Sequence, residues 1–118
     1  MWEVEYTDQF GTWWSSLQPE EQDRVAAAVE LLQEAGPSLG RPLADQIKGS
    51  KHPHMKELRP GNMRALFAFD PRRTAILLLG GDKSGHWEDW YVEAIPEADR
   101  LYDEHLKDLL EEGSSDGE

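Results

Sequence analysis

At 118 residues the chain has room for one domain around a single core. It has no cysteine, which excludes disulfides, a thiolate nucleophile and a Cys-based zinc site, and no apolar run near the roughly 18 residues that a membrane-spanning helix needs. A net charge of −12 argues at first sight against a polyanionic partner, and the acids of MWEVEYTDQF stand where a secretory leader carries bases, so the expectation is a cytoplasmic protein.

The distribution of charge reopens the question of a polyanion. Residues 41–73 hold Arg41, Lys48, Lys51, Lys56, Arg59, Arg64, Arg72 and Arg73 against Asp45, Glu57 and Asp70, a local charge of +5 in a remainder of −17. A basic middle inside an acidic shell suits local capture of a polyanion. It is equally what a solvated surface with balanced charges looks like.

In chain order, WEVEY at 2–6 alternates, with Trp2, Val4 and Tyr6 on one face, and predicts a half-buried strand. Thr7 or Asp8 can cap a short helix whose Phe10, Trp13, Trp14 and Leu17 share one side. Pro19 with Glu20 and Glu21 opens a second helix, striped by Val25, Ala28, Val29 and Leu32 and stopped at Gly36-Pro37, so the two helices read as a hairpin whose stripes belong to the core. Residues 37–53 read as a long loop. MKELR at 55–59, MRALFAFD at 63–70 and TAILLLG at 74–80 then form a three-strand meander, the last apolar on both faces and hence central. After GGDKSG, helical spacing returns at Trp87, Trp90, Tyr91 and Ala94, and Pro96 is placed to start a separate final helix. The expected fold is α+β over residues 1–112, with the helices packed on a curved antiparallel sheet and residues 113–118 as a disordered acidic tail.

Several catalytic signatures are missing, among them the zinc H-E-x-x-H, the Walker loop and G-x-S-x-G. GGDKSG lacks P-loop spacing, and His52 and His54 have no obvious third metal ligand, so no metal and no cofactor is expected. The more informative grouping lies where strands end: Arg59 and Arg64 flank the turn at Pro60-Gly61-Asn62, Lys83 follows the third strand, and Tyr91 comes eight residues later. Two guanidiniums, an ammonium and a phenol in one cleft suit an RNA phosphate, with Trp87 or Trp90 stacking on a base. The competing reading is that the arginines pair with nearby carboxylates and that Tyr91 and the tryptophans belong to the core.

At these residues a resemblance emerges. KELRPGNMRALFAFDPRRTAILLLGGDKSGHWEDWY, residues 56–91, is similar to the signature of the HigB-like, phage-derived branch of the RelE/ParE toxins, and EVEYTDQFGTWW, RPLADQIKGSKHPHMKELR and IPEADRLYDEHL extend the likeness over nearly the whole chain. The resemblance implies a RelE-like fold. It also implies a type II toxin that cuts mRNA on the ribosome by attack of the 2′-hydroxyl on the adjacent phosphate, without a metal. The expected partners are a helix-turn-helix antitoxin of the HigA kind, the ribosome and mRNA, with DNA reached only through the antitoxin and no membrane. By position, Arg64 matches the arginine on the scissile phosphate, Lys83 the base near the leaving oxygen, and Tyr91 the aromatic that serves as general base or stacks. His54 falls where some HigB toxins place a catalytic histidine, and Lys56, Arg59, Arg72, Arg73 and Trp87 are assigned to RNA contacts. The alternatives within this resemblance are a ParE-like inhibitor of gyrase and a member that only binds its antitoxin and represses an operon.

The general base is left open between Tyr91 and a histidine. Tyr91, with an ordinary pKa near 10, needs cations such as Arg64 and Lys83 to lower it, whereas a histidine near 6.5 titrates in range unaided.

Overall fold

The computed structural model describes residues 1–82 and 87–116, without the side chains of Trp87 and of 113–116. Strand β1 (Val4–Tyr6) leads into helices α1 (Asp8–Ser16) and α2 (Pro19–Ala35) and a short 3-10 turn (Gly36–Ser38). Strands β2 (Ala44–Gln46), β3 (Lys56–Leu58), β4 (Met63–Phe69) and β5 (Ala75–Asp82) follow, and α3 (Trp87–Asp116) closes the chain. The strands form one sheet in the order β1-β5-β4-β3-β2.

Local chemistry sets the helix ends. The Thr7 hydroxyl accepts the Phe10 amide at 3.0 Å and donates to the Leu78 carbonyl at 2.8 Å, so one side chain caps α1 and ties it to β5. Pro19 occupies the first turn of α2, where its missing N–H costs nothing, and the Glu21 carboxylate reaches back to the Gln18 amide at 2.9 Å. Gly36 ends that helix at φ +59°, with the Trp2 indole lying where any side chain would sit.

Helices cover both faces of the sheet. On one, α1, α2 and the turn between them, which holds Leu17, bring Phe10, Leu17, Val25 and Leu32 against Leu58, Phe67 and Leu77. On the other, α3 brings Ala94, Ala98, Leu101 and Tyr102 against Met55, Leu66, Ile76 and Leu78. Full burial of a side chain such as Leu32 or Phe67 contributes roughly 2 kcal/mol, so these two layers supply most of the driving force. β5 is buried on both faces and sits between β1 and β4, the central place its composition predicts.

Four expectations need correction. The sheet is mixed, because β1 joins β5 in parallel (Val4 opposite Ala75, Tyr6 opposite Leu77). The segment read as loop contains β2, which pairs antiparallel with β3; three residues are too few for a periodic signal. Tyr6 is 66% exposed, since β1 is an edge strand that α1 covers only in part. The two C-terminal helices are one. Pro96 lies inside α3, and the carbonyl its ring leaves without a donor belongs to Val92, which faces solvent. The same helix continues to Asp116, past the point where the acidic tail was read to begin.

Candidate functional site

The strand period decides which side chains can meet. On β3, Lys56 and Leu58 point to the α1/α2 side, and Met55, Glu57 and Arg59 to the α3 side. Arg64, opposite Gly81 on β5, shares the α3 side with Glu57. The first turns of α3 then lay Tyr91 over the same patch.

The centre of this patch is Glu57, only 2% exposed. Its Oε1 accepts Arg59 Nε at 2.7 Å and lies 3.6 Å from Arg64 Nε, and its Oε2 accepts the Tyr91 hydroxyl at 2.6 Å. Arg59 reaches on to Asp45 at 3.4 Å, and Arg64 also donates to the carbonyls of Met63 (2.8 Å) and Gly61 (3.2 Å). A buried carboxylate without partners is expensive, and here two guanidiniums and a phenol compensate it. Burial first, and then the bond to Glu57, push the Tyr91 hydroxyl up to about 12, with Arg64 opposing. The Glu57 bond raises Arg59 further. Beside the cluster opens a cleft of about 430 Å³ lined by Gln46, Ile47, Lys48, Glu57, Arg59, Glu88, Tyr91 and Ile95. Trp90 meets Tyr91 edge-on at 5.0 Å and covers Gly81.

The profile of the phage-derived protein Gp49-like family matches residues 12–103. The chain belongs to the Gp49-like family. Two Mycobacterium tuberculosis proteins named as candidate toxins are similar to it. HigB2 is 48% identical over 104 residues, covering 84% of this chain and 52% of its own, and HigB3 is 49% identical over 94 residues, covering 78% and 82%. The chain therefore spans about half the length of HigB2. Among solved structures, the RelB–RelE antitoxin–toxin complex of Methanococcus jannaschii aligns with a TM-score of 0.58 at 18% identity, over 74% of this chain and 99% of the other, which shows a RelE-like fold.

In this Gp49-like protein the other expected site residues are scattered. Lys83 and the side chain of Trp87 lie outside the described residues. Lys56 is on the opposite face of the sheet from Arg59, donating to the Pro37 carbonyl at 3.0 Å. His54 is exposed in the turn before β3, five residues ahead of Arg59 and thus roughly 15 Å along the chain from it. His52 is held by Asp103 at 2.9 Å and packs edge-on against Tyr102. Arg72 and Arg73 follow the far end of β4, about 20 Å of strand from Arg64. Arg72 is clamped by Glu5 and Asp70, both at 2.8 Å, and Arg73 lies 4.9 Å over the Trp2 ring at φ 67°. The Gly80-Gly81 pair of the phosphate-loop lookalike belongs to β5, where it makes room for Trp13 on one face and Trp90 on the other.

Sequence reasoning left Glu57, Lys48 and Glu88 out of the site. A signal for the first exists: in MKELR, Glu57 alternates onto the same side as Met55 and Arg59, so an acid falls on a buried face beside a base. Lys48 and Glu88 gave none, because their approach depends on how α3 crosses the sheet.

Proposed function

We propose that the chain is the toxin of a type II toxin–antitoxin pair and acts as a metal-independent endoribonuclease on ribosome-bound mRNA. The observation that carries this reading is the meeting of Arg59, Arg64 and Tyr91 around Glu57, with Arg59, Tyr91 and Glu57 itself lining an open cleft. Its family and the names of its relatives support the toxin and antitoxin part. A helix-turn-helix antitoxin of the HigA kind is the proposed partner, and the ribosome is the proposed place of action, which puts the chain in the cytoplasm.

In this mechanism Arg64 takes a non-bridging oxygen of the scissile phosphate, and Arg59 and Lys48 hold the neighbouring backbone. The 2′-oxygen bonds to phosphorus as the bond from phosphorus to the 5′-oxygen breaks, leaving a 2′,3′-cyclic phosphate and a 5′-hydroxyl; no water enters. Glu88, an exposed carboxylate in the cleft, accepts the 2′-hydroxyl proton, and Tyr91 turns its hydroxyl proton from Glu57 to the departing oxygen. Tyr91 thus acts as donor rather than base, because a hydroxyl pushed up to about 12 keeps its proton at neutral pH.

The decisive experiment is inducible expression of wild type and Arg64→Ala in bacteria, with mRNA 5′ ends mapped. Arrest and new cleavage sites only in wild type support the reading. Normal growth with intact mRNA, given soluble protein, overturns it. It then favours a member that binds an antitoxin without turnover, which the pairing of both arginines and the −12 charge already suit.

A further inference from the structure

Glu57 takes no part in the chemistry proposed above, yet it touches Arg59, Arg64 and Tyr91 from the buried side. Stability is a poor reason for it. An apolar residue of similar volume at such a place is commonly neutral or better, because two or more ions no longer have to be desolvated. Its contacts are also unequal. Arg59 is held twice, by Glu57 at 2.7 Å and by Asp45 at 3.4 Å, and the phenol is held at 2.6 Å, whereas the Arg64 contact is 3.6 Å long.

We propose that Glu57 is the positioning residue of this site: its carboxylate fixes Arg59 and the Tyr91 hydroxyl, and gives up its longer contact with Arg64 to an arriving RNA phosphate. The inference rests on the nuclease reading for the phosphate, and on geometry alone for Tyr91. The exchange keeps the charge balance at Arg64, since one anionic oxygen replaces another. Arg59 stays on Glu57 and so keeps that carboxylate compensated while Arg64 is away. The bond to Glu57 fixes where the Tyr91 hydroxyl sits, so that its proton can turn from Oε2 to the departing oxygen.

Two measurements test this. In the first, a fluorotyrosine at position 91 is titrated by ¹⁹F NMR with Glu57 intact and in Glu57→Gln, which keeps the volume and an acceptor oxygen. The expected result is a midpoint at least one pH unit lower in the variant, and an unmoved midpoint overturns the role. In the second, cleavage of ribosome-bound mRNA is followed in both chains carrying ordinary tyrosine. Glu57→Gln is expected to lower kcat at least tenfold without raising KM, since removing a negative charge does not weaken the hold on a phosphate; a raised KM with unchanged kcat overturns it. Glu57→Asp, which keeps the charge on the arginines, serves if the glutamine chain melts, and its shorter reach is expected to move both readouts the same way. A wild-type chain that leaves RNA intact overturns the nuclease reading and not the fluorine result. A still midpoint overturns the positioning role even where RNA is cut.

Discussion

Asp70 is the side chain whose removal should disturb the fold most per atom changed. It sits at the turn between β4 and β5 with no exposed side-chain surface, and accepts the amides of Arg72 (2.9 Å) and Thr74 (3.1 Å), the Arg72 guanidinium at 2.8 and 3.0 Å, and His105 Nε2 at 2.8 Å. Burial alone would raise its pKa, but the bonds from His105, Arg72 and Thr74 outweigh burial and hold it below the usual value. Asp70→Ala strands two backbone amides at about 1–2 kcal/mol each and unpairs His105, a total near 4 kcal/mol; Asp70→Asn keeps one acceptor and should cost about half of that. For a chain of this size about 1 kcal/mol moves Tm by roughly 4 °C, so thermal unfolding by circular dichroism should fall by about 15 °C and 8 °C. The depressed pKa gives a second signature. The stability it contributes is present above the unfolded value near 3.9 and is lost as pH falls through the lower folded value, so the gap in stability between wild type and Asp70→Asn should start to narrow as pH falls below about 4. Losses under 2 °C in both variants, or a gap that widens as pH falls below 4, would refute this account of the turn.

Gly80→Ala places a methyl group inside the Trp13 ring and should cost roughly 1–3 kcal/mol in a urea melt, an effect that alanine at the exposed Gly40, whose added carbon would lie 4.0 Å from the Ser38 carbonyl, should not share. Pro96→Ala restores a donor to the Val92 carbonyl within α3 and should raise Tm by a few degrees, with unchanged helix content by circular dichroism. Tyr91→Phe leaves Glu57 Oε2 without its phenol and should cost roughly 1–2 kcal/mol by denaturant titration while lowering any RNA cleavage far more than RNA binding.

Sequence alone revealed the parts of this molecule governed by local physics. Pro19 and Gly36 mark the ends of α2, and the doubly apolar run of β5 marks a central strand. Non-local effects stayed hidden. The parallel pairing of β1 joins residues about seventy positions apart, β2 exists only because β3 is there to receive it, and Pro96 is tolerated because Val92 happens to face water. At the candidate site the residue types pointed to Arg59, Arg64 and Tyr91, and the fold brings these three together. It separates Lys56 by strand alternation and Arg72 by the length of β4, neither of which a cluster of positive charge in the sequence distinguishes. Glu57 was counted there only as one of three acids offsetting the basic middle of the chain.

The crossing of α3 over the sheet also imposes an order on synthesis. Glu57, Arg59 and Arg64 leave the ribosome well before Tyr91 and Glu88, which ride on the final helix, and β1 waits for β5 before its edge is closed. Until that helix emerges and packs, the nascent chain holds its cations and its future buried acid without a roof, and the cleft beside them is incomplete.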